Sequence, residues 1–501
     1  MGDAASSDAV PAQDAAPGPQ PPARTALHDA MLRGPLLKPL LHLAVPTTVV
    51  LIAQSLVGVA ENWYASFLGT DALAGVSLVF PVVMLMTMMS NGGIGSGVAS
   101  AVARALGANR RDDANALVWH AVVLALGLGL VFSVLAWMTG PALYTLLGGR
   151  EGALDAALQY SNYVFAGSIP FWLVNLLAAA LRGAGEVRVP ALVTLVGAGV
   201  FLVVTPAIIF GFGPVPALGL AGAGLAMTLF YVVAALWLLR YMASGRAMVR
   251  LTKGPVEPRL LRDILRVGLL TAVSSLQPNL MVMVITGAVG LFGVEALAGY
   301  GMASRLDYLI IPILFGLGTA VLTLVGTNVG AGQYERARRI AWLGGGLGFA
   351  AAGVIGLAAA LAPEVWLHAF SREPAVVAPG MDYLRIVAPF YGLLGLGFVL
   401  AFAAQGAGRV LWPFLAGTSR LVISAGRRVV RRRATRRGAA RPVRHGRRRP
   451  RRLRRRHCRG GARGRHLPPR HGAARHLNRP GAGTRAAPRL FAHVPLLKFR
   501  A

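Results

Sequence analysis

Two acidic residues, Glu61 and Asp307, lie within long apolar stretches of the sequence. Glu61 lies in AQSLVGVAENWYASFLG (53–69), and Asp307 lies in ASRLDYLIIP (303–312). Carboxylates are costly to hold inside a bilayer, so those found in apolar spans usually serve a function. Both residues are therefore candidates for reversible binding of a cation, either a proton or Na⁺. The alternative is structural: a hydrogen bond to a neighbouring helix for Glu61, and a helix–helix contact for Asp307.

The apolar stretch around Glu61 ends near Gly69. At 1.5 Å per helical residue, this spacing places the carboxylate about 12 Å inside one end of the span. Asp307 has a cation nearby in sequence, Arg305. Side chains two residues apart do not share a helix face, so we do not expect these two to form an ion pair.

Polar side chains also fall in the apolar stretches, and each could line a substrate cavity. They are Gln54, Asn62, Asn91, Asn175, Gln277 and Asn279, of which we assign all but Asn91 to the cavity. For each one, a hydrogen bond that joins two helices is the competing interpretation, because such bonds stabilise membrane bundles by about 0.6 kcal/mol.

Motifs for catalysis or metal binding are not found. The histidines before the tail are scattered without paired metal spacing, and no phosphate-binding loop motif follows a predicted strand. We therefore expect no catalytic residues, no metal site and no cofactor, and the protein is not predicted to be an enzyme.

The elements that position these residues follow from composition. Of the 501 residues, 55% are hydrophobic and 14% are charged, whereas soluble proteins average about 25% charged residues. Spanning a bilayer takes about 20 apolar residues. Stretches of that kind lie near 40–66, 74–100, 116–139, 158–181, 190–211, 219–242, 264–290, 296–325, 340–362 and 382–405, and an eleventh begins near 410. The predicted fold class is an all-α polytopic membrane protein.

Arginine and lysine concentrate in the loops after the second, fourth, sixth and eighth stretches. The alternate loops carry only Arg150 and Arg372. Because basic loops stay on the cytoplasmic side, we expect a multi-pass protein of a bacterial-type cytoplasmic (inner) membrane with a cytoplasmic N-terminus.

An internal repeat divides the apolar region. FLGTDALAG (67–75) recurs as LFGVEALAG (291–299), 224 positions later. RGAGEVRVP (182–190) recurs as QGAGRVLWP (405–413), 223 positions later, and LGANRRDDA (106–114) has its counterpart at the same distance. Six spans per repeat predict two bundles that enter the membrane from the same side, related by an axis along the membrane normal.

The repeat also defines the predicted domains. We expect a disordered cytoplasmic leader at 1–35, a first six-helix lobe at 36–245 and a cytoplasmic linker at 246–262. A second lobe of about four and a half helices is predicted at 263–425, followed by an arginine-rich tail at 426–501.

The tail differs in composition from everything before it. Residues 427–501 contain 26 Arg, one Lys and neither Asp nor Glu, and they stand where the rest of the eleventh span and a twelfth are due. Arginine with almost no lysine is typical of GC-rich coding sequence read out of phase, so we interpret the tail as a frameshift product. The alternatives are a solvated basic extension, or a segment that binds nucleic acid or anionic lipid.

Several motifs in order resemble the multidrug and toxic compound extrusion (MATE) family. They are LAVPTTVVLIAQSLVGVAENWYASFLGTDALAGVSLVFP, GSGVASAVARALGANRRDDA, LRGAGEVRVPALV and IIFGFGPVPALGLAGAGLA, and the resemblance covers about residues 36–425. It implies twelve helices in two lobes around a central cavity, and exchange of inward-moving H⁺ or Na⁺ for outward-moving amphipathic, often cationic, drugs.

The resemblance also transfers residue roles. A cation-binding acid of the first span corresponds to Glu61, and an acid that follows arginine in the eighth helix corresponds to Asp307. Where the fifth span of the family has Asn and Asp, this chain has Phe201 and Thr205, and its seventh span has no acid. These departures favour H⁺ over Na⁺, because Na⁺ usually needs several oxygen ligands.

The predicted function is therefore a cation-coupled antiporter for multidrug efflux that works by alternating access. We expect amphipathic small molecules and membrane lipid as partners, a monomeric state and no nucleic acid. The alternatives are a lipid-linked or polysaccharide flippase of the same superfamily, and a membrane-anchored nucleic-acid-binding or scaffold protein that uses the tail.

Overall fold

The computed structural model of the protein describes residues 22–214 and 216–423. Within this part of the chain, nine helices are long and apolar enough to cross a membrane, or ten if one bent pair forms a single span. The predicted all-α polytopic class is confirmed. The tail interpreted above as a frameshift product lies outside the described residues.

The first half of the chain contains a short helix and then six predicted spans. Its helices are α1 (Pro22–Arg33), α2 (Leu37–Ser66), α3 (Thr70–Thr87), α4 (Gly95–Gly107), α5 (Arg111–Leu146), α6 (Glu151–Ala166), α7 (Ser168–Gly183), α8 (Arg188–Phe210) and α9 (Gly219–Ala243).

The second half repeats this pattern up to its fifth span. Its helices are α10 (Pro258–Val289), α11 (Val294–Gly330), α12 (Tyr334–Leu361), α13 (Pro363–Leu367), α14 (Pro374–Val387), α15 (Tyr391–Gly406) and α16 (Leu411–Ile423). We call the end of the bundle with the arginine-bearing loops, such as α4–α5 and α11–α12, the basic end.

Two of the spans in the first half are interrupted. A π-helical turn at Met88–Ile94 joins α3 to α4, and the pair α6–α7 bends by 50°. In the second half, the 3₁₀ turn Ala388–Phe390, which contains Pro389, separates α14 from α15. Such breaks persist in membrane proteins where neighbouring helices satisfy the freed backbone groups, and π-turns often mark functional sites.

The predicted repeat is confirmed in the backbone. Gly69 (φ 105°) and Gly293 (φ 113°) precede the second span of each half, and Gly185 (φ 83°) and Gly408 (φ 71°) precede the fifth. Each pair occupies matching positions of the repeat. Left-handed conformations favour glycine, so glycine at these matching positions allows both halves to form the same turns.

The two halves approach each other closely at the basic end, where α4 crosses α11. A Cβ built on Gly107 would lie 1.9 Å from the Thr327 carbonyl oxygen, and one on Gly330 would lie 2.2 Å from the Arg104 carbonyl oxygen. Residues 107 and 330, and residues 104 and 327, correspond in the repeat. The contact is therefore reciprocal, as a two-fold axis along the bundle requires.

Further contacts between the halves also lie at the basic end. Arg104 on α4 forms an ion pair with Asp263 on α10 at 2.7 Å, and Arg259 forms another with Asp113 on α5 at 2.8 Å. The His120 Nε2 atom accepts a 2.8 Å hydrogen bond from the backbone N–H of Glu257. These contacts close the basic end in this structure.

Each half has its own apolar core, and α2 contributes to both. Ala65, near one end of α2, packs in the core built from the first half. Leu40, Leu43 and Ala44, near the other end, pack in the core built from the second half. Helix α2 therefore crosses from one bundle to the other along its length.

The expectation of a disordered leader over 1–35 is wrong for its second part, because residues 22–33 form α1. Met31 is only 2% exposed and packs in the core of the second half. The Arg336 side chain donates a 2.6 Å hydrogen bond to the Gly34 carbonyl oxygen. Contacts with distant residues, which composition does not reveal, order this segment.

Candidate cation and substrate site

Glu61 lies on α2 and points into the first bundle. Its Oε1 atom accepts a 2.5 Å hydrogen bond from the hydroxyl of Tyr160 on α6. One turn further along α2, the Tyr64 hydroxyl donates a 2.9 Å hydrogen bond to the Leu202 carbonyl oxygen on α8. This end of α2 is thus attached to two helices of its own half, and the carboxylate has one strong, charge-assisted hydrogen bond.

Helix α9 closes the surroundings of this carboxylate. The Tyr160 hydroxyl lies 4.0 Å from the sulfur of Met227, and Tyr231, one turn further along α9, lies within electrostatic range of Glu61. The Tyr231 ring packs edge-on against Phe171 and Phe230, with centroids 4.7 and 4.8 Å away. Glu61 therefore lies in an aromatic environment with hydroxyl groups as its polar neighbours.

Tyr231 also lines a pocket between α2, α7 and α8, which we call the α2–α7 pocket. Two of the predicted cavity residues, Gln54 and Asn175, line it. Its other polar lining residues are Thr47, Asn91, Arg182 and Thr194, and Phe315 of the second half contributes to its wall. The π-turn between α3 and α4 places Asn91 there, where its Oδ1 atom accepts a 3.0 Å hydrogen bond from Arg182.

The other three predicted cavity residues lie elsewhere. Asn62 and Asn279 are exposed, and each donates to the backbone of its own helix, at 2.8 Å to Gly58 and 3.3 Å to Ser275. Gln277 donates a 2.8 Å hydrogen bond to the Thr418 hydroxyl and joins α10 to α16. Gln277 thus makes the helix–helix contact that was the competing interpretation.

Asp307 lies half-buried on α11 in the second bundle, next to the hydroxyl of Tyr391. Tyr383 is also in electrostatic range, and its ring packs edge-on against Tyr300. Tyr383 occupies the repeat position of Tyr160, 223 residues later. Arg305 lies over the Phe370 ring, 5.4 Å from its centroid, and forms no ion pair with Asp307.

The fifth-span positions that lack the expected polar residues are buried in α8. Phe201 is 5% exposed and Thr205 is fully buried. Among the described residues, the Thr205 hydroxyl has no hydrogen-bond partner, and no group of three or more His, Cys, Asp and Glu side chains is arranged to hold a metal ion.

Sequence reasoning did not single out Tyr160, Tyr231 or Arg182, and it named Asn91 as a polar side chain of a span without assigning it to the cavity. Tyrosines in apolar spans resemble ordinary packing positions. In the sequence, Arg182 is one of the basic residues that follow the fourth apolar stretch, whereas in the structure it lies in the last turn of α7 and lines the α2–α7 pocket. The repeat carried a usable signal in one case, since tyrosine recurs at 160 and 383.

Comparison with known proteins agrees with this architecture. The model of the MatE family matches residues 46–208 and 271–426. The second match ends at Gly426, next to the residue at which the arginine-rich composition begins.

Individual relatives extend the similarity over most of the chain. It is 28% identical to the probable multidrug resistance protein NorM of Thermotoga maritima, over 75% of this chain and 82% of that protein. It is 25% identical to the FAD transporter of Shewanella oneidensis, over 78% and 87% respectively.

A solved structure is similar to the fold described above. It is an outward-facing conformation of a multidrug resistance MATE family transporter of the MOP superfamily, with a TM-score of 0.71 and 25% identity. The similarity covers 79% of this chain and 88% of that one.

Proposed function

The chain belongs to the MatE family, and on this premise we propose that it exports amphipathic drugs or toxic compounds from the cell in exchange for protons. The exchange takes place across the cytoplasmic membrane, with the basic end on the cytoplasmic side. The multidrug names of the relatives support the substrate class.

The hydrogen bond between Tyr160 and Glu61 is the observation that carries this proposal. A carboxylate in an apolar span is a costly feature that marks a proton or ion pathway. When Glu61 takes up a proton, its oxygen becomes a weaker acceptor, so the attachment of α2 to α6 weakens. Proton binding thereby changes the packing of α2 within the first bundle.

Helix α2 transmits this change because it belongs to both cores. Glu61 lies in the part of α2 that packs in the first bundle, and Leu40 and Leu43 lie in the part that packs in the second. Pro46 separates the two parts and lacks the N–H that would bond to the preceding turn. The missing hydrogen bond lowers the cost of bending α2 at this point, which couples protonation to the relative position of the bundles.

The coupling ion is a proton in this proposal. Among the described residues, Glu61 is not part of a group of three or more acidic, histidine or cysteine side chains that could hold a metal ion. The fifth-span positions that would add oxygen ligands hold Phe201 and Thr205. A proton needs a single acceptor, whereas Na⁺ usually needs several oxygen ligands.

Alternating access uses the contacts between the halves. The crossing of α4 and α11 and the Arg104–Asp263 ion pair close the basic end, which corresponds to the outward-facing state. Proton uptake at Glu61 from outside then precedes reorganisation of α2 and opening of the basic end toward the cytoplasm.

Ethidium uptake into proteoliposomes tests this proposal. Vesicles that contain the full chain and are acidic inside should accumulate ethidium as protons leave, and nigericin should abolish the uptake by collapsing the pH gradient. Glu61→Gln should reduce uptake to the rate of protein-free vesicles, because glutamine cannot exchange a proton. Glu295→Gln is the matched control, since Glu295 is an exposed acid at the end of the bundle away from the basic loops.

Two results would contradict the proposal. The first is uptake driven by a Na⁺ gradient at equal pH, which would assign the coupling to Na⁺. The second is undiminished pH-driven uptake by Glu61→Gln, which would remove Glu61 from the mechanism.

A further inference from the structure

Arg182 is a cation that faces a pocket inside the first bundle. It lies in the last turn of α7, is partly buried, and lines the α2–α7 pocket with Gln54 and Asn175. Its guanidinium makes one side-chain hydrogen bond, to the Asn91 Oδ1 atom at 3.0 Å. A guanidinium carries five N–H donors, so it can donate to a ligand in the pocket while it keeps this bond.

Within the described residues, no carboxylate lies within ion-pair distance of Arg182. Glu186 is the nearest acid in sequence, but it accepts hydrogen bonds from the Tyr241 hydroxyl and from the backbone N–H of Met248. Charged side chains in membrane bundles normally pair with one another or with backbone carbonyls. Arg182 departs from that rule.

We propose that the α2–α7 pocket binds the anionic group of the substrate, a carboxylate in the first instance, with Arg182 as its counter-ion. This inference rests on the proposed transport function and names the chemical class of substrate. The planar fork of N–H groups on arginine matches a carboxylate in a bidentate geometry, and Asn91 holds the guanidinium in place.

The rest of the pocket adds the features of an amphipathic site. Gln54, Asn175 and Thr194 supply neutral hydrogen-bonding groups, while Phe230 and Phe315 supply apolar walls. Tyr231 lines the pocket and lies in electrostatic range of Glu61. A substrate that carries a carboxylate and, at its other end, a positive charge therefore has a counter-ion at each end while Glu61 is ionised.

Two dyes that differ in one group test the assignment. Rhodamine 110 carries a free carboxylate on a cationic ring system, and rhodamine 123 is its methyl ester. Their binding to the purified full chain in a neutral detergent is measured by fluorescence polarisation. The wild type should bind rhodamine 110 about tenfold more tightly than rhodamine 123, as one charge-assisted hydrogen-bonded pair predicts.

Two variants at position 182 distinguish the effect of its charge from an effect on folding. Arg182→Gln should bring the affinities for the two dyes to the same value, because the counter-ion of the carboxylate is gone, and Arg182→Lys should keep most of the preference because it keeps the charge. If Arg182→Gln does not fold and binds neither dye, the acid-to-ester ratio of the wild type and of Arg182→Lys decides the question.

Four outcomes would overturn the inference. Equal or tighter binding of the ester by the wild type would overturn it while leaving proton-coupled export intact, because a cationic dye is still bound. Retention of the acid preference by Arg182→Gln would exclude Arg182 as the counter-ion. Displacement of rhodamine 110 by phosphatidylglycerol but not by phosphatidylcholine would assign the pocket to a lipid headgroup. Failure of the wild type to bind either dye would contradict the proposed function as well.

Discussion

At the scale of single residues, the proposed coupling depends on an acid and the hydroxyl that donates a hydrogen bond to it. Glu61 differs from the surface acids of the chain because its Oε1 atom has a tyrosine donor on another helix, 99 positions away in sequence. The hydroxyl stabilises the ionised carboxylate, and it loses most of that effect when the proton arrives. In the proposed mechanism, the proton therefore switches this contact between a strong and a weak form.

Removing the hydroxyl alone is the sharpest test at this scale. Tyr160→Phe keeps the ring and deletes the donor, so pH-driven ethidium uptake should fall by about tenfold, as expected for a hydrogen bond to a charged acceptor. Tyr163→Phe is the control, because Tyr163 lies on the same helix and is 42% exposed. Equal uptake by Tyr160→Phe and the wild type would exclude the hydrogen bond from the coupling step.

The candidate residues show what could be predicted at this scale. Glu61 and Asp307 stand out in the sequence because acids are rare in apolar spans. Their tyrosine partners do not, since Tyr160 and Tyr391 are apolar enough to pass as core residues. The five predicted cavity residues are all amide side chains in apolar stretches, but their surroundings differ. Only Gln54 and Asn175 of the five line the α2–α7 pocket. Side-chain direction depends on neighbouring helices, which single-residue patterns do not contain.

At the scale of helices, the close crossing of α4 and α11 defines the closed basic end. Gly107 and Gly330 leave room for the facing backbone carbonyls, and no other side chain fits there without displacement. Opening of the basic end must separate this contact. In the proposed alternating-access mechanism, the α4–α11 crossing is intact in one state and separated in the other.

A side chain placed at this crossing should favour the open arrangement. Gly107→Val overpacks the contact, which typically costs about 1–3 kcal/mol, and separation of the halves relieves that cost. Spin labels at the exposed residues Asn109 and Tyr334, in a Cys458→Ser background, report the separation by pulsed electron resonance. The variant should show longer distances than the unsubstituted labelled chain.

The control for this experiment is Gly346→Val on α12. A Cβ on Gly346 meets nothing within 4 Å, so the substitution adds the same side chain in open space. The distance distribution should then match that of the unsubstituted chain. Unchanged distances in Gly107→Val as well would show that this crossing does not define the closed state.

Helix positions were the most predictable part of the structure, because hydrophobic length determines them. The prediction of a single fourth span near 158–181 missed an interruption, because α6 and α7 are two helices with a 50° bend between them. Span length alone does not reveal this bend, although Gly167 and Pro170 are both residues at which helices commonly kink. Helix α1 was missed for a related reason, because its buried contact through Met31 involves the distant second half.

At the scale of the whole molecule, the repeat explains why the two halves share turns and crossings. It also yields a prediction about the tail. The second half should continue with an apolar end to its fifth span and then a sixth span, as the first half does in α8 and α9. The nucleotide sequence around codon 426 should therefore show that a one-base change restores an apolar reading frame.

Resequencing of the gene checks this prediction. A corrected sequence that encodes two apolar stretches would support the frameshift. If a verified in-phase reading reproduces the arginine-rich residues from 427 onward, the tail is a genuine segment of the protein, and the frameshift interpretation is wrong.

The central claim is that one acid in the first bundle exchanges a proton in step with substrate. Proton release on ethidium binding tests it most directly, with the purified chain in weakly buffered detergent and a pH indicator. The wild type should release protons as ethidium binds, because the cation and the proton compete for the ionised form of Glu61. Glu61→Gln should bind ethidium without releasing protons. Proton release by Glu61→Gln equal to that of the wild type would contradict the account.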